Sequence, residues 1–145
     1  MYERIKEIDE LRDIKKEMDI LSQRMNAIAK PVLTDLSYIP TLHKVFMDVV
    51  DGDDNDIETR SIFFLIMAYL YTPKVFAGFR CNKYYRKKLA TLFSFISPCT
   101  ISLNTSTAVF QYLHYAWFRE RVDEAYNKML TILQKKEPKL FDLLK

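Results

Sequence analysis

Residues 86–107 read RKKLATLFSFISPCTISLNTST, two short helical patterns separated by a turn. The first carries Leu89-Ala90 followed by Leu92-Phe93. The second opens at Ser97-Pro98, a hydroxyl N-cap with proline at the first helical position, where a missing N–H costs nothing. Ile101 and Leu103 are expected to pack on the first helix, and Ala90 is small enough for the close approach that a crossed pair needs. The turn between them reads Ser94-Phe95-Ile96. Helix geometry in this stretch sets the fold class, and the rest of the chain agrees with it. Among 145 residues there are only 2 Gly, and the 5 Pro fall between apolar periodic segments. A chain so poor in turn residues does not build an all-β domain of many hairpins.

Charge is unevenly spread around this stretch. Between Glu58 and Glu120 there is no carboxylate, while Arg60, Lys74, Arg80, Lys83, Arg86, Lys87, Lys88 and Arg119 all lie there. The formal net charge of +3 therefore conceals a cationic middle with acidic flanks. Separation of that kind builds a positive field on one part of a folded molecule and points to nucleic acid before it points to an enzyme.

Upstream, residues 2–29 are dense in Glu, Lys, Arg and Asp and hold no Gly or Pro, so one long helix is expected. Leu11, Ile14, Met18, Leu21, Met25 and Ile28 step by three and four, a heptad seam of nearly three repeats, with Ile5 and Ile8 widening the stripe. Two readings stand for it: packing on the chain's own domain, or a coiled-coil arm that pairs with further copies through residues 5–28. Pro31 ends this helix. Residues 34–40 form a connector, and Thr41 is expected to cap a short helix with Leu42, Val45, Phe46, Val49 and Val50 at core spacing.

Residues 51–56 read DGDDND. A calcium hand needs Gly at its sixth position and Glu at its twelfth, and counting from Asp51 those positions hold Asp56 and Ile62. The loop is therefore expected to be a solvated turn whose Asp56 caps the next helix. That helix, residues 57–72, is apolar nearly all round from 62 to 71, as a central buried helix is. The run is about half the length of a membrane span. Pro73 ends it, and Gly78 is placed to supply a left-handed turn. Asn82 is expected to cap a helix reaching about residue 94. A last long helix covers residues 117–134, with Phe118, Val122, Ala125 or Tyr126, Met129 and Ile132 or Leu133 inward. The short amphipathic tail after Pro138 is expected to pack back on the domain or to fray, with a docking peptide as the alternative.

Catalytic patterns are missing. There is no Gly-rich phosphate loop, no histidine pair at metal spacing, and no nucleophile beside a base, so a non-enzyme without cofactor or metal is expected. His43 and His114 are expected to be ordinary core or surface side chains. Cys81 and Cys99 form neither a disulfide framework nor a zinc pattern, and they fit a reducing cytoplasm. Residues 1–30 alternate charged and apolar side chains, unlike a secretion signal.

The two-helix unit at about 82–107 carries the positive signal. In a DNA reader, short polar side chains at the start of the second helix reach base edges and flanking cations hold phosphates. Cys99, Thr100, Ser102 and Asn104 are the base-reading candidates, with Ser106 on the same outer face. Lys83, Arg86, Lys87, Lys88 and Ser97 are the phosphate-contact candidates. No Arg or Lys occurs from Ser97 through Trp117, so the commonest base-specific contact, Arg to guanine, is unavailable from the second helix.

KKLATLFSFISPCTIS (87–102) and AVFQYLHYAWFRERVDEAY (108–126), with YLYTPKVFAG (69–78) upstream, resemble helix-turn-helix DNA-binding proteins of phages and mobile elements of gut-type bacteria. The likeness spans residues 60–129 and implies that residues 97–104 begin the recognition helix. The sequence departs from that pattern in having Ser94 where a glycine is usual, and in the longer linker Phe95-Ile96-Ser97.

These readings together describe an all-α protein: an N-terminal helical arm (1–30), a compact helical domain with a helix-turn-helix unit (31–136), and a tail (137–145). The expected function is non-catalytic DNA binding in a bacterial cytoplasm, as a transcriptional regulator or phage DNA-handling protein, with no membrane partner. The alternative is a helical virion or protein-interaction component with a basic face.

Overall fold

The computed structural model describes residues 1–94 and 96–145 and divides into two compact units, Met1–Lys30 and Pro31–Lys145. Among the described residues the secondary structure is helical throughout, with no strand. The turn Ser94-Phe95-Ile96 and the linker Phe95-Ile96-Ser97 include Phe95, which lies outside the described residues.

The first unit is the long N-terminal helix, formed by α1 (Tyr2–Asp9) and α2 (Leu11–Ile28). Glu10 between them keeps right-handed helical angles, φ −59° and ψ −26°. Its carbonyl accepts from both Asp13 N (3.1 Å) and Ile14 N (3.3 Å), so the helix is tightened at this point. Ile5, Ile8, Leu11 and Ile14 follow one another at three-residue steps, shorter than the 3.6 of an α-helix. At about 100° per residue, Ile5 and Ile14 fall half a turn apart, so the seam proper belongs to α2. Taken by itself, neither α1 nor α2 buries a side chain.

In the second unit, a single 3₁₀ turn (Leu36–Tyr38), capped by Asp35, leads into α3 (Ile39–Val49). The helix starts earlier than Thr41: Pro40 occupies its first turn, where proline removes a donor that has no helical partner in any case. Leu33 N donates to Leu70 O (2.9 Å) and Tyr71 Oη to Asp35 O (2.7 Å), tying this entry segment to the end of α4 (Ile57–Tyr71).

Helix α4 is the centre of the unit, with residues 61–68 all buried. It packs against α6 (Pro98–His114) and α7 (Ala116–Lys136). Helix α3 packs on α7, α5 (Lys83–Leu92) on α6, and α8 (Pro138–Leu144) on α7. Phe46, Phe63, Phe64 and Phe93 form an aromatic group in the core, and the His43 ring stands edge-on at 5.1 Å from Phe63 and 5.2 Å from Phe93. The tail is helical, with Leu140 and Leu144 turned into the core. No described helix is long and apolar enough to cross a membrane.

Caps form where side chains act locally. Asp56 accepts from Thr59 N and Oγ1, Asn82 from the backbone of Tyr84 and Tyr85, and Ser97 from Thr100 N. Gly78 has φ +88°, the left-handed position that ends the 3₁₀ turn Pro73–Ala77. Helix α6 runs unbroken past Ser106 to His114.

The acidic loop is organised by its own hydrogen bonds. Asp53 Oδ1 accepts from the backbone of Asn55 and Asp56, and Arg60 Nη1 donates to the carbonyls of Asp54 and Asn55. His43 Nε2 and Asp54 Oδ1 lie 2.9 Å apart, so the fold gives His43 a carboxylate that its sequence neighbours do not supply.

Candidate nucleic-acid interface

Buried side chains recur every fourth residue through this segment: Cys81 just before α5, Tyr85 and Leu89 on it, and Phe93 at its C-cap. Lys83 and Lys87 lie two positions off that stripe and are exposed, while Arg86 and Lys88 flank it and are half-buried. None of these four cations forms an ion pair among the described residues. Arg86 is set apart from the lysines. Its Nη1 donates to Ser102 Oγ at 3.4 Å, and its Nε is fully buried with no hydrogen-bond partner. Burial raises the pKa of the Cys81 thiol, and the positive charge of Arg86 opposes that rise.

On α6 the inward stripe is Ile101, Thr105, Ala108 and Val109. Thr105 is fully buried and its hydroxyl donates to Ile101 O at 2.7 Å, which satisfies it within the helix. Leu103 does not pack on α5 as its sequence position suggests; it is 70% exposed. Two residues along an α-helix turn the side chain by about 200°, so Ile101 and Leu103 cannot share one face.

The base-reading candidates are unequally placed. Cys99 and Thr100 are exposed at the first turn of α6. Thr100 Oγ1 lies 2.9 Å from Ser97 Oγ, so Ser97 serves as the helix cap as well as a phosphate-contact candidate. Ser102 and Asn104 are half-buried, and Ser102 is the residue that Arg86 reaches. Ser106 is exposed.

Sequence reasoning missed an apolar surface beyond these residues. Leu103, Phe110 and Leu113 of α6 are exposed, as are Tyr115 and Trp117 at the junction with α7. Phe110 lies 4.3 Å from His114 and 6.1 Å from Tyr115, and the Tyr115 and Trp117 rings stack at 6.4 Å. The seven-residue step from Leu103 to Phe110, two helical turns, is the signal that could have revealed it. No family model, curated protein or solved structure matches the chain.

Proposed function

We propose that this is a non-catalytic DNA-binding protein that uses α5 and α6 as a helix-turn-helix unit, acting as a transcriptional regulator or in phage DNA handling within a bacterial cytoplasm. The observation that carries this reading is the exposed, unpaired pair Lys83 and Lys87, on a helix packed against one whose first turn presents Cys99 and Thr100. Lysines free of carboxylates are available for phosphate oxygens, and the short polar side chains of α6 suit a groove. The seam of α2 supports self-association, which would bring two such units to one duplex. A salt titration of binding to random duplex and to duplex selected from a random pool tests the proposal. A linear fall of log affinity with log salt is expected, with tighter binding to the selected sequence.

A second reading, a helical assembly component of a virion or protein complex, is favoured by the exposed apolar group from Leu103 to Trp117. Absence of duplex binding at moderate salt, together with no enrichment in the selection, would leave that reading in place.

A further inference from the structure

A cavity of about 290 Å³ opens in the second unit between α4, the 3₁₀ turn Pro73–Ala77, α6 and α7. Four aromatic side chains line it: Tyr69, Phe76, Tyr112 and Tyr126. They form two nearly perpendicular pairs. Tyr69 and Tyr126 are 5.8 Å apart at 78°, and Phe76 and Tyr112 are 6.4 Å apart at 82°. Rings crossed in this way turn the wall through two directions instead of forming one flat stack. The rest of the lining is aliphatic, except for one carboxylate, Asp123.

Asp123 Oδ1 accepts from Tyr112 Oη at 2.8 Å. Asp123 forms no ion pair among the described residues. The nearest sequence candidate for one, Arg119, is a turn earlier on α7 and is committed elsewhere. Its Nε donates to Tyr112 O (3.1 Å) and its Nη2 to Leu113 O (3.3 Å), with the guanidinium carbon 6.0 Å from the Tyr112 ring centre. The cavity thus joins π-faces to a negative charge that no protein cation neutralises by direct contact.

We propose that this cavity binds a small alkylated ammonium ion, with the charge held between Asp123 and the aromatic rings and the alkyl groups against the aliphatic lining. Aromatic faces attract cations through their quadrupole. A quaternary or tertiary ammonium matches the mixture of surfaces because its charge is spread over carbon and sheds water readily. Burial raises the phenol pKa values of Tyr112 and Tyr126 to about 12, so both rings stay neutral. This site is separate from the α5–α6 surface and does not depend on DNA binding.

The test is calorimetry on the full chain with choline and with its neutral tert-butyl isostere, which has the same shape and no charge. Saturable choline binding in the millimolar range or tighter is expected, with the isostere about tenfold weaker. Asp123→Asn keeps an acceptor for Tyr112 and removes the charge; it should weaken choline by a similar factor while the melting temperature holds. Tyr69→Leu should weaken it too, and if that variant fails to fold, Asp123→Asn still decides because Asp123 lies on the exposed side of α7. Equal binding of choline and isostere, no choline binding, or full affinity in folded Asp123→Asn would each overturn the proposal.

Discussion

Arg86 Nη1 donates to Ser102 Oγ at 3.4 Å, joining α5 to α6 through a half-buried cation whose Nε is enclosed. The guanidinium thus bridges the two helices. The lysines around it have no such attachment, so the cations of α5 divide into one that holds the unit together and others that are available to a ligand.

That division is testable by substitution. Replacing Lys83 and Lys87 with Gln is expected to lower the salt slope of duplex binding by about 0.9 for each lost phosphate contact, similarly on all sequences and without changing stability. Arg86→Ala should instead cost on the order of 1–2 kcal/mol of stability, through lost packing and the lost bond to Ser102. Urea unfolding beside the salt titration separates the two effects. Thr100→Ala and Asn104→Ala should each cost about 1–3 kcal/mol on a preferred site and little on random duplex. Equal losses on both duplexes would mean that α6 reads no bases.

Self-association is expected to reside in α2. An isolated helix of this length is marginal in water, and its apolar seam gains stability only when covered. Sedimentation of the full chain should show an oligomer, and Leu21→Asp should return it to monomer while helicity of the 31–145 unit persists. Monomers for both proteins at tens of micromolar would assign the seam to contact within one chain.

Gly52 is required by space. A Cβ there would stand 2.0 Å from Thr59 Oγ1, a hydroxyl held by its 2.6 Å bond to Asp56. Gly52→Ala should therefore destabilise by about 1–3 kcal/mol, as overpacking does. Adding Thr59→Ala removes the obstructing atom, so the double variant should lose less than the sum of the two single losses in thermal unfolding.

Asp56 also predicts a pH effect. The Thr59 hydroxyl, opposed by desolvation and helped by backbone donors, holds its carboxyl below the usual range. Because the folded pKa is depressed, this stabilisation is present above the unfolded carboxyl's titration and is lost as pH falls through the folded value. Asp56→Asn should flatten the acid limb of a stability-versus-pH curve and leave its neutral region nearly level. An unchanged acid limb would show that other carboxylates dominate there.

The tail offers a contrast between neighbours. Leu140 is 2% exposed and Leu143 is 50% exposed. Leu140→Ala should cost about 2–4 kcal/mol and Leu143→Ala well under 1 kcal/mol, measured by urea unfolding. Similar small losses at both positions would mean that α8 adds little to the core.

Much of the helical plan is decided by neighbours in sequence. The caps at Asp56, Asn82 and Ser97 act within three residues, and the left-handed turn at Gly78 is a single-residue property, so sequence alone determined where those elements start or stop. The same holds for the inward positions Phe118, Val122 and Met129, because helical periodicity is local, whereas the choice of Ala125 over Tyr126 and of Leu133 over Ile132 was left to packing. Tertiary structure decided the rest. Whether Leu103 or Ile101 faces α5 depended on which stripe of α6 the rest of the core accepted. The Arg86–Ser102 bond, the His43–Asp54 pair and the aromatic cavity join groups 11 to 57 positions apart. Such contacts exist only after helices have docked, since docking chooses among several faces that local periodicity leaves equally apolar.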